Sequence, residues 1–481
     1  VTFLKTHDSL LIVSDKSPQT REFPAKKNRD TIIQLQRLVR KENVLTDKVE
    51  LVCYSYDATC YSSLPDVVVF PRNSGEVSKI MRLANRKRIP VTPRGAGTSL
   101  SGGPVPANAG IVVVLARMSR ILEFDEDNLT ITCEAGLALR DLNKFLRKKG
   151  FSFPIDPGSS EAATLGGMMG ENASGMHSLE YGRTMDRVLS LEVVLPTGEI
   201  VEVGSRCFKC ASGYNLKELF IGSEGTLGIV TKATLRIAPI PDNYAVALLP
   251  FNTTVEAGRA ISKVVKKGIQ ISALEFMDKN AIDVARSFTG LPLPNAAAMV
   301  LIECVGSEKE VQSNLARVAE ILRSEGAFDV KISGNREEAD QLWYARKATY
   351  GAISRIRPMA IQGDPVVPVS RLPEFLARLD SISKKYSVQI VSYGHAADGN
   401  LHPTVMVDER NPEEMTRARR ALAEIYRSAL KLGGTLTGEH GIGAEKHEYF
   451  NLEWSDKVIA VMKETKVVFD PNNIMNPGKW I

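Results

Sequence analysis

Short apolar runs and helix-spaced apolar positions alternate along most of this chain. Residues 66–70 are Asp66 followed by a Val-Val-Val-Phe run, which predicts a buried strand. Ser74 follows as a candidate helix N-cap, and Val77, Ile80, Met81 and Ala84 recur at i, i+3, i+4 and i+7, so a helix comes next. Residues 89–92 read as a second strand running straight into a glycine-rich stretch, 93–103. Further strands are predicted at 111–115, 130–134, 189–195, 199–203 and 228–237, with Pro-Thr-Gly at 196–198 as a hairpin turn. A helix is predicted near 29–41. Pro239-Ile240-Pro241 punctuates the pattern and reads as a domain boundary. Beyond it, helical periods cover 254–267, 308–325, 372–384 and 412–432, with strands at 298–304 and 388–393. The fold class is therefore α+β, in units of roughly 1–60, 61–240, 241–435 and 436–481. Residues 469–479 are irregular and polar yet specific in composition.

Composition narrows the function classes. A chain that is 43% apolar and 24% charged, with net charge +5, is a globular protein rather than a nucleic-acid binder, since no basic stripe is interleaved with aromatics. The basic residues Lys26, Lys27, Arg29, Arg37, Arg40 and Lys41 read as a solvated face. No apolar run is long enough for a transmembrane segment. Six cysteines suit a reducing, cytoplasmic setting, with room for peripheral membrane attachment. Cys207 and Cys210 form a lone CxxC, which is weak evidence for a metal, and no iron–sulfur series accompanies it.

The candidate chemistry lies in two places. Of the six histidines, His395, His402, His440 and His447 fall near the C-terminal end, with Glu439 immediately before His440. Imidazoles with a carboxylate suit a borderline divalent metal, and a spare imidazole suits general-base work near neutral pH. Three glycine-rich segments form the second place: 93–103, 154–175 and 220–229. The first is not a Rossmann fingerprint, because Leu100 stands where the third glycine is needed. It nevertheless offers backbone N–H groups, the hydroxyls of Thr98, Ser99 and Ser101, and Arg94 for an anion. The second has few large side chains and suits the floor of a flat cofactor, and the third could bring backbone up to a ring system.

Together, the motifs at 93–103, 156–159, 164–175, 222–228, 394–402, 438–443 and 476–479 resemble the FAD-linked 2-hydroxyacid dehydrogenases of the vanillyl-alcohol-oxidase (PCMH-type) flavoprotein superfamily. The resemblance runs from about residue 60 to the C-terminus. It implies a two-subdomain PCMH-type FAD-binding domain, a ferredoxin-like α+β cap, and a C-terminal segment returning to the flavin. It places Arg94, Gly95, Ala96, Gly97, Thr98 and Ser99 at the pyrophosphate. It sets Asp156, Pro157, Ser159, Thr164, Gly166, Gly167, Asn172, Ser174 and Gly175 along the rest of the cofactor, with Gly228 and Ile229 near the ring. Asn476 and Asn400 approach flavin and substrate. His395, His402 and Glu439 match the divalent metal ligands, Zn or Fe, and His440 the catalytic base. Arg346 matches the arginine that holds the substrate carboxylate. Segment 93–103 has no histidine for a covalent flavin bond, so FAD is expected to be non-covalent. Gln362 stands where hydroxyglutarate enzymes carry a basic residue, which favours a small monocarboxylate such as D-lactate.

The resemblance implies oxidation of a D-2-hydroxy acid, with glycolate and D-2-hydroxyglutarate as alternatives to D-lactate. A zinc hydrolase built on the same histidines leaves the glycine-rich segments unexplained. A non-catalytic FAD electron-transfer subunit leaves the histidine cluster and Arg346 unexplained. Without cluster-binding cysteines, electrons are expected to pass to a partner, an electron-transferring flavoprotein or an iron–sulfur subunit, within an oligomer or multi-subunit complex. His177 has no assigned role.

Overall fold

The computed structural model describes residues 25–480, with side chains from residue 29 onward. The first 24 residues of the N-terminal unit and the side chains of Lys26 and Lys27 lie outside the described residues. The first layer is a four-stranded sheet in which Val67–Val69, Ile111–Val114 and Val91–Arg94 run parallel and Val44–Leu45 pairs antiparallel at one edge. Helix Ser74–Lys87 lies on it, burying Val77, Ile80, Met81 and Ala84 completely. Each such side chain contributes about 1.5–3 kcal/mol for Val, Ile or Met, and less for Ala. The helix begins one residue earlier than its period suggested. Asn73, extended at φ −161°, accepts the Glu76 N–H at 3.0 Å, whereas the Ser74 hydroxyl donates to Glu192.

The second layer is an antiparallel five-stranded sheet, ordered Ile121–Asp125, Thr130–Glu134, Ile229–Arg236, Val188–Val194, Ile200–Gly204. Gly198, at φ 86°, closes the hairpin between the last two. Helices Leu139–Arg147 and Leu165–Glu171 cover it.

The cap begins with strand Asn243–Phe251. Its sheet is ordered Lys331–Ile332, Asn243–Phe251, Ala298–Gly306, Ala273–Asp278, Tyr393–His395, all antiparallel. The first four strands stand in ferredoxin-like order 4-1-3-2, with helices Thr254–Lys266 and Glu308–Ser324 packed on them. The strand expected at 388–393 is split. At Ser392 the backbone carbonyl accepts the Asp278 N–H and the backbone N–H donates to the Asp278 carboxylate, so Gln389–Val391 joins a separate three-stranded sheet and Tyr393–His395 joins the ferredoxin-like one. Helices Leu372–Tyr386 and Pro412–Lys431 cover that second sheet. Several helices escaped the sequence pattern, among them Leu139–Arg147, Lys279–Thr289, Arg336–Ile353 and Asp456–Phe469. After the last of these the chain returns to the first layer: Met475 bridges Val91, and the Lys479 ammonium donates to the Gly102 and Val105 carbonyls. Among the described residues, no helix is long and apolar enough to cross a membrane.

Candidate active site

One cavity of about 800 Å³ runs between the two sheet layers and the cap. Its wall includes Arg94, Gly95, Ala96, Gly97, Thr98, Ser99, Asp156, Pro157, Ser159, Thr164, Gly166, Gly167, Gly228 and Ile229, and at its other end Arg346, His395, His402, Glu439 and His440. The glycine-rich segments and the histidine cluster are thus two ends of one space. The segments also touch each other: a Cβ at Gly95 would sit 2.2 Å from the Thr164 hydroxyl. Gly97 has φ +76°, and a Cβ there would come 2.1 Å from Arg94 Nη2. The Arg94 guanidinium therefore packs against its own loop, and Nη1 donates to the Tyr56 carbonyl at 2.8 Å. It braces the loop from behind. Residues 1–60, read as an extension, add Asp57 and Ala58 to the wall, and the Asp57 carboxylate accepts the Gly102 N–H at 2.9 Å.

Five sequence-derived candidates lie off this wall. Asn172 caps helix Leu165–Glu171 in the left-handed region, φ 54°, and accepts the Met185 N–H. Gly175 packs its backbone on Asp156. Ser174 donates to Glu439 Oε2 at 2.8 Å. Asn476 donates to the Gly103 and Glu224 carbonyls, and its own Oδ1 is buried without a partner. Asn400 is buried behind the cluster, donating to Asp364 Oδ1 at 2.9 Å.

The cluster is centred on Glu439 Oε1. His395 Nε2 and His402 Nε2 lie 3.4 Å from it, and His440 Nε2 3.6 Å. Donors held about 2.0–2.1 Å from a tetrahedral zinc sit roughly 3.3–3.4 Å apart, so His395 and His402 each stand at such a distance from Glu439. Asp364, His402, Glu439 and His440 also bring one donor atom each within 4.8 Å of one another. Asp364, however, is already engaged. Its Oδ2 accepts from Thr437 Oγ1 and from the N–H groups of Gly438, Glu439 and His440 at 2.6–2.9 Å. Its acceptor capacity is spent on shaping the turn.

The far nitrogens face carboxylates. Strand pairing sets Glu275 opposite His395, and Glu275 Oε1 meets His395 Nδ1 at 2.7 Å. His402 Nδ1 lies 3.4 Å, and His440 Nδ1 3.9 Å, from Asp364. Carboxylates behind imidazoles orient rings and raise their basicity toward a metal. Although burial opposes it, Glu275 and Glu439 hold His395 well above its usual pKa, a proton that metal binding would release. Burial, with His402 alongside, pushes His440 down to about 4 against the pull of Asp364 and Glu439. It is held neutral and can accept a proton.

Arg346 is 6% exposed, its Nη2 2.6 Å from Glu275 Oε2 and its guanidinium 4.8 Å from the Tyr393 ring centroid, while Nε has no partner. Gln362, on the same wall, donates to the Tyr393 hydroxyl. Glu275 and Asp364 were missed in the sequence; the second lies directly in the Gln362-Gly363-Asp364 segment, and only the strand register reveals the first.

Residues 240–480 match the family described as FAD linked oxidases, C-terminal domain, and residues 65–204 match the FAD binding domain family. The chain belongs to the FAD-linked oxidases. This member is 39% identical over 453 residues to the glycolate oxidase subunit GlcD of Bacillus subtilis (strain 168), covering 94% of this chain and 96% of that protein. It is 38% identical over 415 residues to the D-lactate dehydrogenase of Archaeoglobus fulgidus, covering 86% and 91%. Among solved structures, p-cresol methylhydroxylase with substrate bound shares the fold, with TM-score 0.81 and 17% identity, over 95% of this chain and 97% of that one. The FAD-linked oxidase fold thus accounts for the long cavity, whose small-residue walls and brace of backbone N–H groups suit an FAD.

Proposed function

We propose that this FAD-linked oxidase converts a small D-2-hydroxy acid, D-lactate before glycolate or D-2-hydroxyglutarate, to the 2-oxo acid. The observation that carries the reading is the single cavity joining the glycine-rich walls to the cluster of His395, His402, Glu439 and His440, with Arg346 beside it. Bound FAD supplies the two-electron acceptor, and a divalent metal, Zn or Fe, the Lewis acid that makes an alcohol acidic enough to ionise near neutral pH.

The chain's own residues do the rest. The ends of the Arg346 guanidinium not held by Glu275 bind the substrate carboxylate. His440 takes the hydroxyl proton at Nε2, the nitrogen on the Glu439 side, while Asp364 behind the ring stabilises the resulting imidazolium. His395, His402 and Glu439 would hold the metal. Asn400 fixes Asp364. The walls at 94–99, 156–167 and 228–229 would hold FAD without a covalent bond, as the three imidazoles on the cavity wall all belong to the cluster.

Gln362 supports a monocarboxylate, since it carries no charge and is tied to Tyr393. A second reading, a dicarboxylate such as D-2-hydroxyglutarate, is favoured by Lys347, exposed at the cavity rim. Electrons would leave to a partner protein, an electron-transferring flavoprotein or iron–sulfur subunit, as the name of the GlcD relative suggests a multi-subunit setting. Steady-state kcat/KM with an artificial acceptor, compared for D-lactate, L-lactate, glycolate and D-2-hydroxyglutarate, separates these readings. D-lactate is expected to lead, and oxidation of none of them overturns the reading.

A further inference from the structure

His177 lies just beyond the second glycine-rich segment and bridges the two halves of the protein. Its Nδ1 is 2.8 Å from Asp156 Oδ2, on the cavity wall of the FAD-binding half. Its Nε2 is 2.9 Å from Glu303 Oε1, on the cap strand Ala298–Gly306. Ionised carboxylates only accept, so an imidazole bonded to one at each nitrogen donates twice and carries a proton on both. Both carboxylates act as acceptors toward other donors as well. Glu303 accepts from Ser272 Oγ at 2.8 Å and from Trp343 Nε1 at 2.6 Å, and Asp156 Oδ1 accepts the His177 backbone N–H at 3.3 Å. Trp343 also packs its ring 5.8 Å from the His177 ring. It stands one turn before Arg346 on helix Arg336–Ile353.

We propose that His177, as an imidazolium, is a positioning residue: it clamps the Asp156 loop to Glu303 and Trp343 and so sets the helix that presents Arg346 to the substrate. The role at Arg346 rests on the function proposed above; the clamp itself does not. The charges around the ring are Asp156, with Lys347 near it, Glu303 from the cap strand, Glu180 on its own short helix, and Asp398, which holds Ser178. Burial opposes the proton, but Asp156 and Glu303 hold His177 well above the usual histidine range. The clamp is closed at neutral pH and opens as alkali removes the proton, when one nitrogen turns its lone pair toward a carboxylate.

The test compares FAD-loaded wild type and His177→Gln by hydrogen exchange in helix Arg336–Ile353, corrected for intrinsic pH dependence, from about pH 6 to about pH 10, together with KM and kcat. Wild type is expected to lose protection around Trp343 and Arg346 only toward the alkaline end. His177→Gln is expected to be less protected throughout and insensitive to pH, with KM raised about tenfold and kcat within about twofold. Equal protection in the two proteins overturns the clamp, and so does a wild-type helix indifferent to alkali, a result that stands even if the variant fails to fold. Exchange is read without substrate, so a clamp that behaves as described in an enzyme that oxidises no 2-hydroxy acid refutes the substrate reading alone.

Discussion

Asp364 lies beneath His440: its Oδ2 accepts the His440 backbone N–H at 2.8 Å and sits 3.9 Å from the ring's Nδ1. The same oxygen gathers the N–H groups of Gly438 and Glu439, so one buried cap carboxylate shapes the turn that presents both ligand and base. Asp364→Asn either turns its NH2 toward these donors and loses them, or keeps its oxygen there and sets the NH2 against the Asn400 amide. Metal affinity or kcat/KM is expected to fall about 10–100-fold with flavin content retained, as for other residues that orient ligands. Metal analysis after dialysis, alongside kinetics, reads this; an unchanged metal content and rate would place Asp364 outside the site's support.

Burial holds His440 neutral. His440→Asn keeps a polar side chain but removes the proton acceptor, and kcat is expected to drop by about 10²–10⁴, some 3–5 kcal/mol in the barrier. Flavin absorbance and metal content should survive, which stopped-flow and metal analysis can verify on one preparation. A loss below tenfold argues for another base.

Arg346→Lys retains charge and loses the planar fork. With Glu275 2.6 Å from one end of the guanidinium, a lysine cannot serve that carboxylate and a substrate carboxylate in the same geometry. The expected cost is about 10–100-fold in kcat/KM, mostly in KM. A kcat effect with KM unchanged would move Arg346 from substrate binding to the chemical step.

Glu171 and Glu224 meet under the Glu439-His440 turn. A Cβ on Gly441 would lie 2.5 Å from Glu171 Oε2 and 2.9 Å from Glu224 Oε1, and each residue has an Oε2 buried without a partner. Burial, with Glu224 beside it, raises Glu171 well above the usual carboxyl range. The native state holds this proton more tightly than the unfolded chain. Its contribution is complete below the unfolded carboxyl pKa and is lost as pH rises through the native value. Glu171→Gln mimics the protonated acid, so its melting temperature should decline less than wild type's between about pH 5 and pH 9. Parallel melting curves would contradict the assignment.

Much of this was legible in the residues. Val67–Val69 and Ile111–Val114 are uninterrupted apolar runs because parallel strands are buried on both faces. The glycine-rich segments and the His-Glu cluster stood out because their residue types are unusual locally. Glu275 and the division of 388–393 did not, as both depend on which strands pair, information that only the three-dimensional register holds. Helix Arg336–Ile353 was hidden for a different reason. Its buried face runs through Ala339, Leu342, Trp343 and Arg346 at i, i+3, i+4 and i+7, but Arg346 and the buried Thr349 interrupt the apolar stripe that would mark it. Asp57 entered the site from a segment read as an extension, through a backbone contact with Gly102 that composition does not betray.

Anaerobic mixing of the FAD-loaded enzyme with D-lactate, before and after metal removal, reads the joint action of cavity and cluster most directly. Flavin absorbance is expected to bleach rapidly with D-lactate, to bleach about 100-fold more slowly once the metal is stripped, and to recover its rate on addition of zinc or ferrous iron. Failure of D-lactate, glycolate and D-2-hydroxyglutarate alike to bleach the flavin, or a rate indifferent to metal removal, would contradict it.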